Sequence, residues 1–95
     1  MEIKIILKRK ASKEVHDRLT PVLIDLRSLA MKHEGYISGE TLMNMDDPEE
    51  VVVISTWKNL KCWDSWVESS ERKELQLKVD KILGTSTYYQ VYCYG

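Results

Sequence analysis

The chain has few of the residues that cross-link small domains or bind metals in them. Only two cysteines, Cys62 and Cys93, and two histidines, His16 and His33, occur among its 95 residues. Two cysteines do not make a disulfide framework. The histidines stand far apart, and neither lies in a metal-ligand spacing. We therefore predict no metal site, and two free thiols in a reducing cytoplasm.

Long apolar segments are absent as well. No run approaches the ~20 residues that a membrane-spanning helix requires. The opening residues, Met1-Glu2-Ile3-Lys4, also lack the apolar stretch of a signal peptide. We expect a cytoplasmic protein that has no membrane partner.

The sequence has no excess of positive charge. Fourteen basic residues oppose fifteen acidic ones, which gives a net charge of −1. Lys8-Arg9-Lys10 is the one tight basic run, and at a strand end such a run is typical of solvated surface. The tyrosines near the C terminus lack the glycine-aromatic run of RNA-binding sheets. We therefore predict no nucleic-acid partner.

The composition itself is that of an ordinary globular domain. Hydrophobic residues make up 43% of the chain and charged residues 31%. The length fits a single domain spanning residues 1–95, and the organising signal within it is a hydrophobic period that changes between segments.

Strand and helix periods alternate along the chain. Alternating apolar residues predict a first strand over residues 2–9. Ser12 is typical of a helix N-cap, and the helical stripe behind it keeps its phase across Pro21, which predicts one bent helix. Gly35 is expected to close that helix at the first position after its cap. Three more strands are predicted over residues 36–44, 51–57 and 85–94.

A second helical region separates the last two strands. Asn59 is expected to cap it, Ser69-Ser70 to break it, and Gly84 to end it. The order β-α-β-β-α-β predicts an α+β, ferredoxin-like fold, in which a four-stranded antiparallel sheet has its helices on one face. The apolar run 51–54 has side chains on both faces of its strand, so we expect a second copy of the chain to cover the open face.

Several segments resemble the antibiotic biosynthesis monooxygenase family. They are Gly35 to Leu42, Asp47-Pro48, Val51 to Trp57, Trp63-Asp64-Ser65-Trp66 and Ser70-Glu71-Arg72. The resemblance implies a dimeric α/β barrel, a homodimer whose open sheet faces meet, with a small-molecule pocket between sheet and helices in each subunit. Some members of this family oxidise aromatic polyketides or quinols with dioxygen and no metal or flavin, so the resemblance implies a related activity for this chain.

The haem-degrading branch of that family matches poorly. Its pattern requires an asparagine on the first strand, which residues 2–9 lack, and a histidine ten residues after Trp66, where this chain has Gln76. Glutamine is not an ordinary axial ligand of haem iron. We therefore expect no haem, and the resemblance to the members that use neither metal nor flavin implies no other cofactor.

Candidate site residues follow from the chemistry of cofactor-free oxygenation, which deprotonates an electron-rich phenol and stabilises its anion. The catalytic candidates are Asn59 and Arg72 for holding the anion, and Tyr36 and His33 for relaying the proton. The substrate-binding candidates are Trp57, Trp63, Trp66, Ser38 and Gln76. The alternative interpretations are core packing for the three tryptophans, helix capping for Asn59 and His33, and a surface ion pair for Arg72.

The sequence contains no self-sufficient catalytic motif, so three functions remain open. The first is a monooxygenase-like enzyme that acts on a small aromatic or quinol substrate. The second is a non-catalytic small-molecule binder or stress-associated dimer. The third is a processor of a small signalling carbonyl compound.

Overall fold

A computed structural model describes residues 1–95, which form four strands and three helices. The elements are β1 (Ile3–Lys10), α1 (Lys13–Lys32), β2 (Tyr36–Met43), β3 (Glu50–Trp57), α2 (Leu60–Glu68), α3 (Ser70–Leu83) and β4 (Tyr89–Cys93). The strands make one antiparallel sheet in the order β2-β3-β1-β4. This confirms the predicted α+β, ferredoxin-like fold, with the second helical region divided into two helices.

The helix ends follow the capping residues. Ser12 Oγ accepts a hydrogen bond from Val15 N at 3.3 Å at the start of α1, and Gly84 ends α3 in the left-handed region at φ 81°. Ser69 ends α2 and also caps α3, where its hydroxyl accepts from Arg72 N at 3.2 Å. These local signals confirm the predicted break in the second helical region.

Two predicted boundaries are wrong. The cap of α1 is His33, so Gly35 lies two positions beyond the cap rather than one. The last strand covers only Tyr89–Cys93 instead of residues 85–94. The residues before it make a loop because the Thr87 hydroxyl donates to Asp80 Oδ1 at 2.9 Å, which anchors that segment to α3.

The core lies where the sheet meets the helices. Ile3, Ile5 and Trp57 point from β1 and β3 towards the helices and pack with Trp63 and Trp66 of α2. Leu19 of α1 and Val79 of α3 are both fully buried, and these two helices pack against each other.

The opposite face of the sheet has no helix over it. Ile6, Val52 and Ile54 point to this side and are half-buried, whereas Leu42 and Tyr92 are 48% and 47% exposed. We call these five residues the open-face patch. No helix is long and apolar enough to span a membrane.

Candidate ligand-binding cavity

A cavity of about 740 Å³ lies between the helix-facing side of the sheet and the helices. Its floor consists of alternate residues of the two central strands, and its roof includes one stripe of α1. The floor residues are Ile5, Leu7, Arg9, Val51, Val53, Ser55 and Trp57, and the α1 stripe contains His16, Thr20, Leu23 and Arg27. The volume is in the range of small-molecule sites.

Three tryptophans and a tyrosine form an aromatic wall at one end of this cavity. Trp57 is 1% exposed, and its ring centroid lies 5.5 Å from that of Trp63 and 6.2 Å from that of Trp66. Its indole Nε1 donates to Ser55 Oγ at 3.1 Å, which satisfies the buried N–H. Trp63 in turn meets Tyr89 edge to face at 5.1 Å. The wall is therefore rigid and apolar, as a flat organic ligand requires.

Tyr36 brings a hydroxyl to the same cavity. Its ring stands perpendicular to Trp57 at a centroid distance of 5.4 Å. The hydroxyl lies against Gly39, where a Cβ would come within 2.5 Å of it. The carbonyl of Gly39 accepts a hydrogen bond from Arg27 Nη2 at 3.0 Å. The absence of a side chain at Gly39 thus leaves room for the tyrosine hydroxyl.

Arg72 is the buried cation beside the aromatic wall. It lies in the first turn of α3, is 8% exposed, and its guanidinium carbon is 5.6 Å from the centre of the Tyr89 ring. This is a cation–π arrangement. One turn later, Gln76 Nε2 donates to Asp80 Oδ1 at 3.0 Å and to Thr87 Oγ1 at 2.9 Å. Both side chains line the cavity, but Gln76 is committed to partners within the chain.

Three of the predicted site residues do not line this cavity. Asn59 caps α2, where its Oδ1 accepts from Cys62 N at 2.9 Å. His33 packs outside the lining, with its ring 5.6 Å from Trp66 and 6.0 Å from Trp57. Ser38 is exposed on the open face, beside a small pocket that also contains Lys4 and Thr56. The structure therefore brings together Tyr36, Arg72, Gln76 and the three tryptophans, and leaves these three residues apart.

Arg9, which the basic run predicted to be solvated, belongs to the cavity instead, and so does His16. Arg9 is only 6% exposed because its strand position continues the apolar face of Ile3, Ile5 and Leu7. His16 lines the cavity from α1, and its Nε2 is 2.9 Å from the carbonyl oxygen of Glu49. The alternation of β1 already predicted that Arg9 points to the helix-facing side. Its basic neighbours, Lys8 and Lys10, favoured the interpretation as solvated surface instead.

The cavity lining carries an excess of basic residues, whereas the whole chain has a net charge of −1. Arg9, Lys13, Arg27 and Arg72 line it, against the two acids Glu40 and Glu49. Burial lowers the pKa of the Arg9 guanidinium, and the nearby Asp80 carboxylate partly offsets this effect. No group of three or more His, Cys, Asp or Glu side chains is arranged to hold a metal ion.

Comparison with known proteins confirms the resemblance inferred from the sequence. The profile of the antibiotic biosynthesis monooxygenase family matches residues 3–77. No curated protein matches the chain in sequence.

Solved structures share the fold at low sequence identity. A conserved protein from Methanosarcina mazei superposes with a TM-score of 0.89 at 20% identity, covering 100% of this chain and 94% of that one. A Mycobacterium tuberculosis protein gives 0.84 at 14%, covering 100% and 96%. A variant of SnoaB, a cofactor-independent oxygenase from Streptomyces nogalater, gives 0.84 at 10%, covering 98% and 92%.

Proposed function

The chain belongs to the antibiotic biosynthesis monooxygenase family, and from that premise we propose that it oxidises a small aromatic or quinol substrate with dioxygen and without a cofactor. The observation that carries the proposal is the cavity, in which a rigid tryptophan wall, the Tyr36 hydroxyl and the Arg72 guanidinium face one space. An aromatic ring would stack against the wall, and the two polar groups would reach its oxygen substituents.

The proposed chemistry assigns one role to each polar group. Without a cofactor, the substrate itself must supply the electrons that reduce dioxygen. Ionisation of its phenol makes this easier, so the Tyr36 hydroxyl relays the proton and Arg72 stabilises the anion. In an anthrone, the ring CH₂ opposite the oxygen substituent then becomes a carbonyl; in a dihydroxynaphthalene, one ring C–H becomes C–OH and the quinol becomes a quinone. In both cases the substrate takes one oxygen atom and the other leaves as water, so the four electrons of the oxidation reduce one dioxygen.

Asn59 and His33 take positioning roles in this proposal. Asn59 holds the first turn of α2, the helix that carries Trp63 and Trp66. His33 supports Trp57 and Trp66 from the side away from the cavity. Both residues thus act on the substrate through the aromatic wall rather than by contact.

Oxygen consumption with dihydroxyaromatic compounds tests the proposed activity. We expect the wild-type protein to consume dioxygen faster than the buffer does with 1,4-dihydroxynaphthalene or an anthrone. Arg72→Gln and Tyr36→Phe should each lower kcat about a hundredfold, the scale of a lost general-acid or oxyanion contact. Matched controls are Arg18→Gln and Tyr94→Phe, which change exposed side chains outside the cavity lining.

Two results would contradict this assignment. The first is a wild-type rate equal to that of the buffer with every dihydroxyaromatic compound tried. If these compounds still bound, the protein would be a non-catalytic binder instead. The second is wild-type turnover in both cavity variants, which would remove Arg72 and Tyr36 from the mechanism.

We also propose that two copies pair through the open-face patch. Half-buried Ile6, Val52 and Ile54 form an apolar strip on a face that no helix covers, and a second sheet would bury it. Light scattering after size-exclusion chromatography should show a dimer, and Ile54→Lys should give a monomer. Leu77→Lys, at a site 55% exposed on α3, is the control and should remain dimeric. A wild-type monomer at micromolar concentration would contradict the proposal.

A further inference from the structure

Arg9 is a buried cation without a partner inside the chain. It is 6% exposed, and its Nε is buried and donates no hydrogen bond. None of the three ion pairs in the structure includes it. A buried charge without a counter-ion is costly, so a cation kept in this state points to an anion supplied from outside the chain.

The acid whose charge acts on Arg9 is Asp80, and one of its oxygens is already hydrogen-bonded to other residues. Asp80 acts on Arg9 as a nearby negative charge, but the two make no ion pair within 4.0 Å. The Oδ1 atom of Asp80 accepts hydrogen bonds from Gln76 and Thr87 instead. The carboxylate is thus held in the loop anchor on α3, and Arg9 is left facing the cavity that it lines.

The position of Arg9 separates it from the aromatic wall. Arg9 pairs with Val51 and Ile3 pairs with Trp57, so the two levels are six residue steps apart along β3, or about 20 Å at ~3.3 Å per residue. Lys13 and His16 line the same end of the cavity. Lys13 is paired with Asp17 at 2.8 Å, and His16 contacts the carbonyl of Glu49, so Arg9 is the basic side chain there that has no partner.

We propose that the cavity takes an elongated aromatic acid, whose carboxylate binds the Arg9 guanidinium while its ring system extends towards the tryptophans. A guanidinium presents parallel N–H donors that match a carboxylate, and such charge-assisted pairs are strong when they are shielded from water. The proposal rests on the proposed function for the identity of the site, and it adds the substrate class: an acid rather than a neutral quinol.

Binding of a redox-inert pair of probes tests this inference without turnover. Biphenyl-4-carboxylate and biphenyl-4-methanol have the same rings and differ in charge, and titration calorimetry gives a Kd for each. We expect the wild-type protein to bind the acid at least about tenfold more tightly, as a hydrogen-bonded charge pair warrants. Arg9→Gln should reduce this preference to about twofold or less, and Arg9→Lys should keep part of it.

Charge-matched control variants distinguish binding of the carboxylate at Arg9 from a general attraction of anions to positive charge. Lys8→Gln removes one positive charge from the neighbouring residue, which is exposed, and should keep the full preference for the acid. Arg72→Gln should also keep it, because Arg72 is assigned to the substrate's ring oxygen. Since Arg9 lacks a partner, Arg9→Met without ligand should melt at the wild-type temperature or higher.

Several outcomes would overturn the inference. They are equal affinities of the wild-type protein for acid and alcohol, a preference that survives Arg9→Gln, a preference lost in Arg72→Gln or Lys8→Gln, or a marked drop in the melting temperature of Arg9→Met. These outcomes are independent of the oxygen-consumption assay. A protein that selects the acid but never consumes dioxygen would therefore refute the proposed activity and support the Arg9 site.

Discussion

Gly35 offers a sharp test of how the α1–β2 turn positions the aromatic wall. Its φ is 89°, a left-handed conformation that favours glycine. A Cβ at this position would lie 2.4 Å from Cys62 Cβ and 2.5 Å from Cys62 Sγ. Since real Cβ contacts are not this short, Gly35→Ala must move the turn away from α2, the helix that carries Trp63 and Trp66.

Two contributions determine how much Gly35→Ala lowers the free energy of unfolding. Left-handed strain costs a non-glycine residue about 1–2 kcal/mol, and overpacking typically adds about 1–3 kcal/mol. We therefore expect Gly35→Ala to lower the free energy of unfolding by about 2–5 kcal/mol. Gly84→Ala is the matched control, because φ there is 81° and nothing lies within 4 Å of the added Cβ. It should cost only the strain, about 1–2 kcal/mol.

Urea unfolding followed by tryptophan fluorescence would measure both variants. The midpoints should separate while the slopes stay equal, since only stability changes. Cys62→Ala should rescue Gly35→Ala incompletely, because it removes the Sγ atom but leaves the Cβ in place. Equal losses for Gly35→Ala and Gly84→Ala would refute the argument from close packing.

Two further predictions concern the cavity and the surface. Gly39→Ala places a Cβ 2.5 Å from the Tyr36 hydroxyl; it should lower oxygen turnover about as much as Tyr36→Phe does, and unchanged kcat would contradict the proposed role of that hydroxyl. Lys10 lowers the pKa of Asp47, mainly through their hydrogen bond at 2.9 Å. A carboxyl group with a lowered pKa in the folded state stabilises the fold above its ordinary pKa of about 4, and this contribution is lost as the pH falls below that value. Wild type should therefore lose urea stability more steeply than Lys10→Met on acidification, and parallel pH profiles of the two midpoints would show that the pair contributes nothing.

The elements were predictable because their signals are local. Ser12, Asn59 and Gly84 act on their own helix ends, and alternation within β1 and β3 requires no knowledge of partners. The start of β4 was harder to predict, because the Thr87 hydroxyl donates a hydrogen bond to Asp80 on another element. A tertiary hydrogen bond of this kind leaves no periodic trace in the sequence.

The site was predicted less completely because side-chain direction depends on irregular backbone. In a regular strand Tyr36 and Ser38 would share a face. The β2–β3 register shifts between them, so Tyr36 turns to the cavity and Ser38 to the open face. Arg9 shows the converse case: its strand is regular and alternation alone predicts its burial, but a basic run is ordinarily solvated.

Some lining residues also form the hydrophobic core, whereas others contribute only polar groups to the cavity. This difference decides which variants are informative about function. Trp57, Trp63 and Trp66 belong to the hydrophobic core and also wall the cavity. Truncating one to alanine would cost about 3–5 kcal/mol, a large part of the ~5–15 kcal/mol that stabilises a typical domain. Such variants would therefore lose ligand binding and stability together, whereas the polar ends of Tyr36, Arg72 and Arg9 can be removed with the apolar core intact. In the proposed mechanism the chemistry depends on these few groups, so proteins that share this fold would differ in substrate when they exchange them.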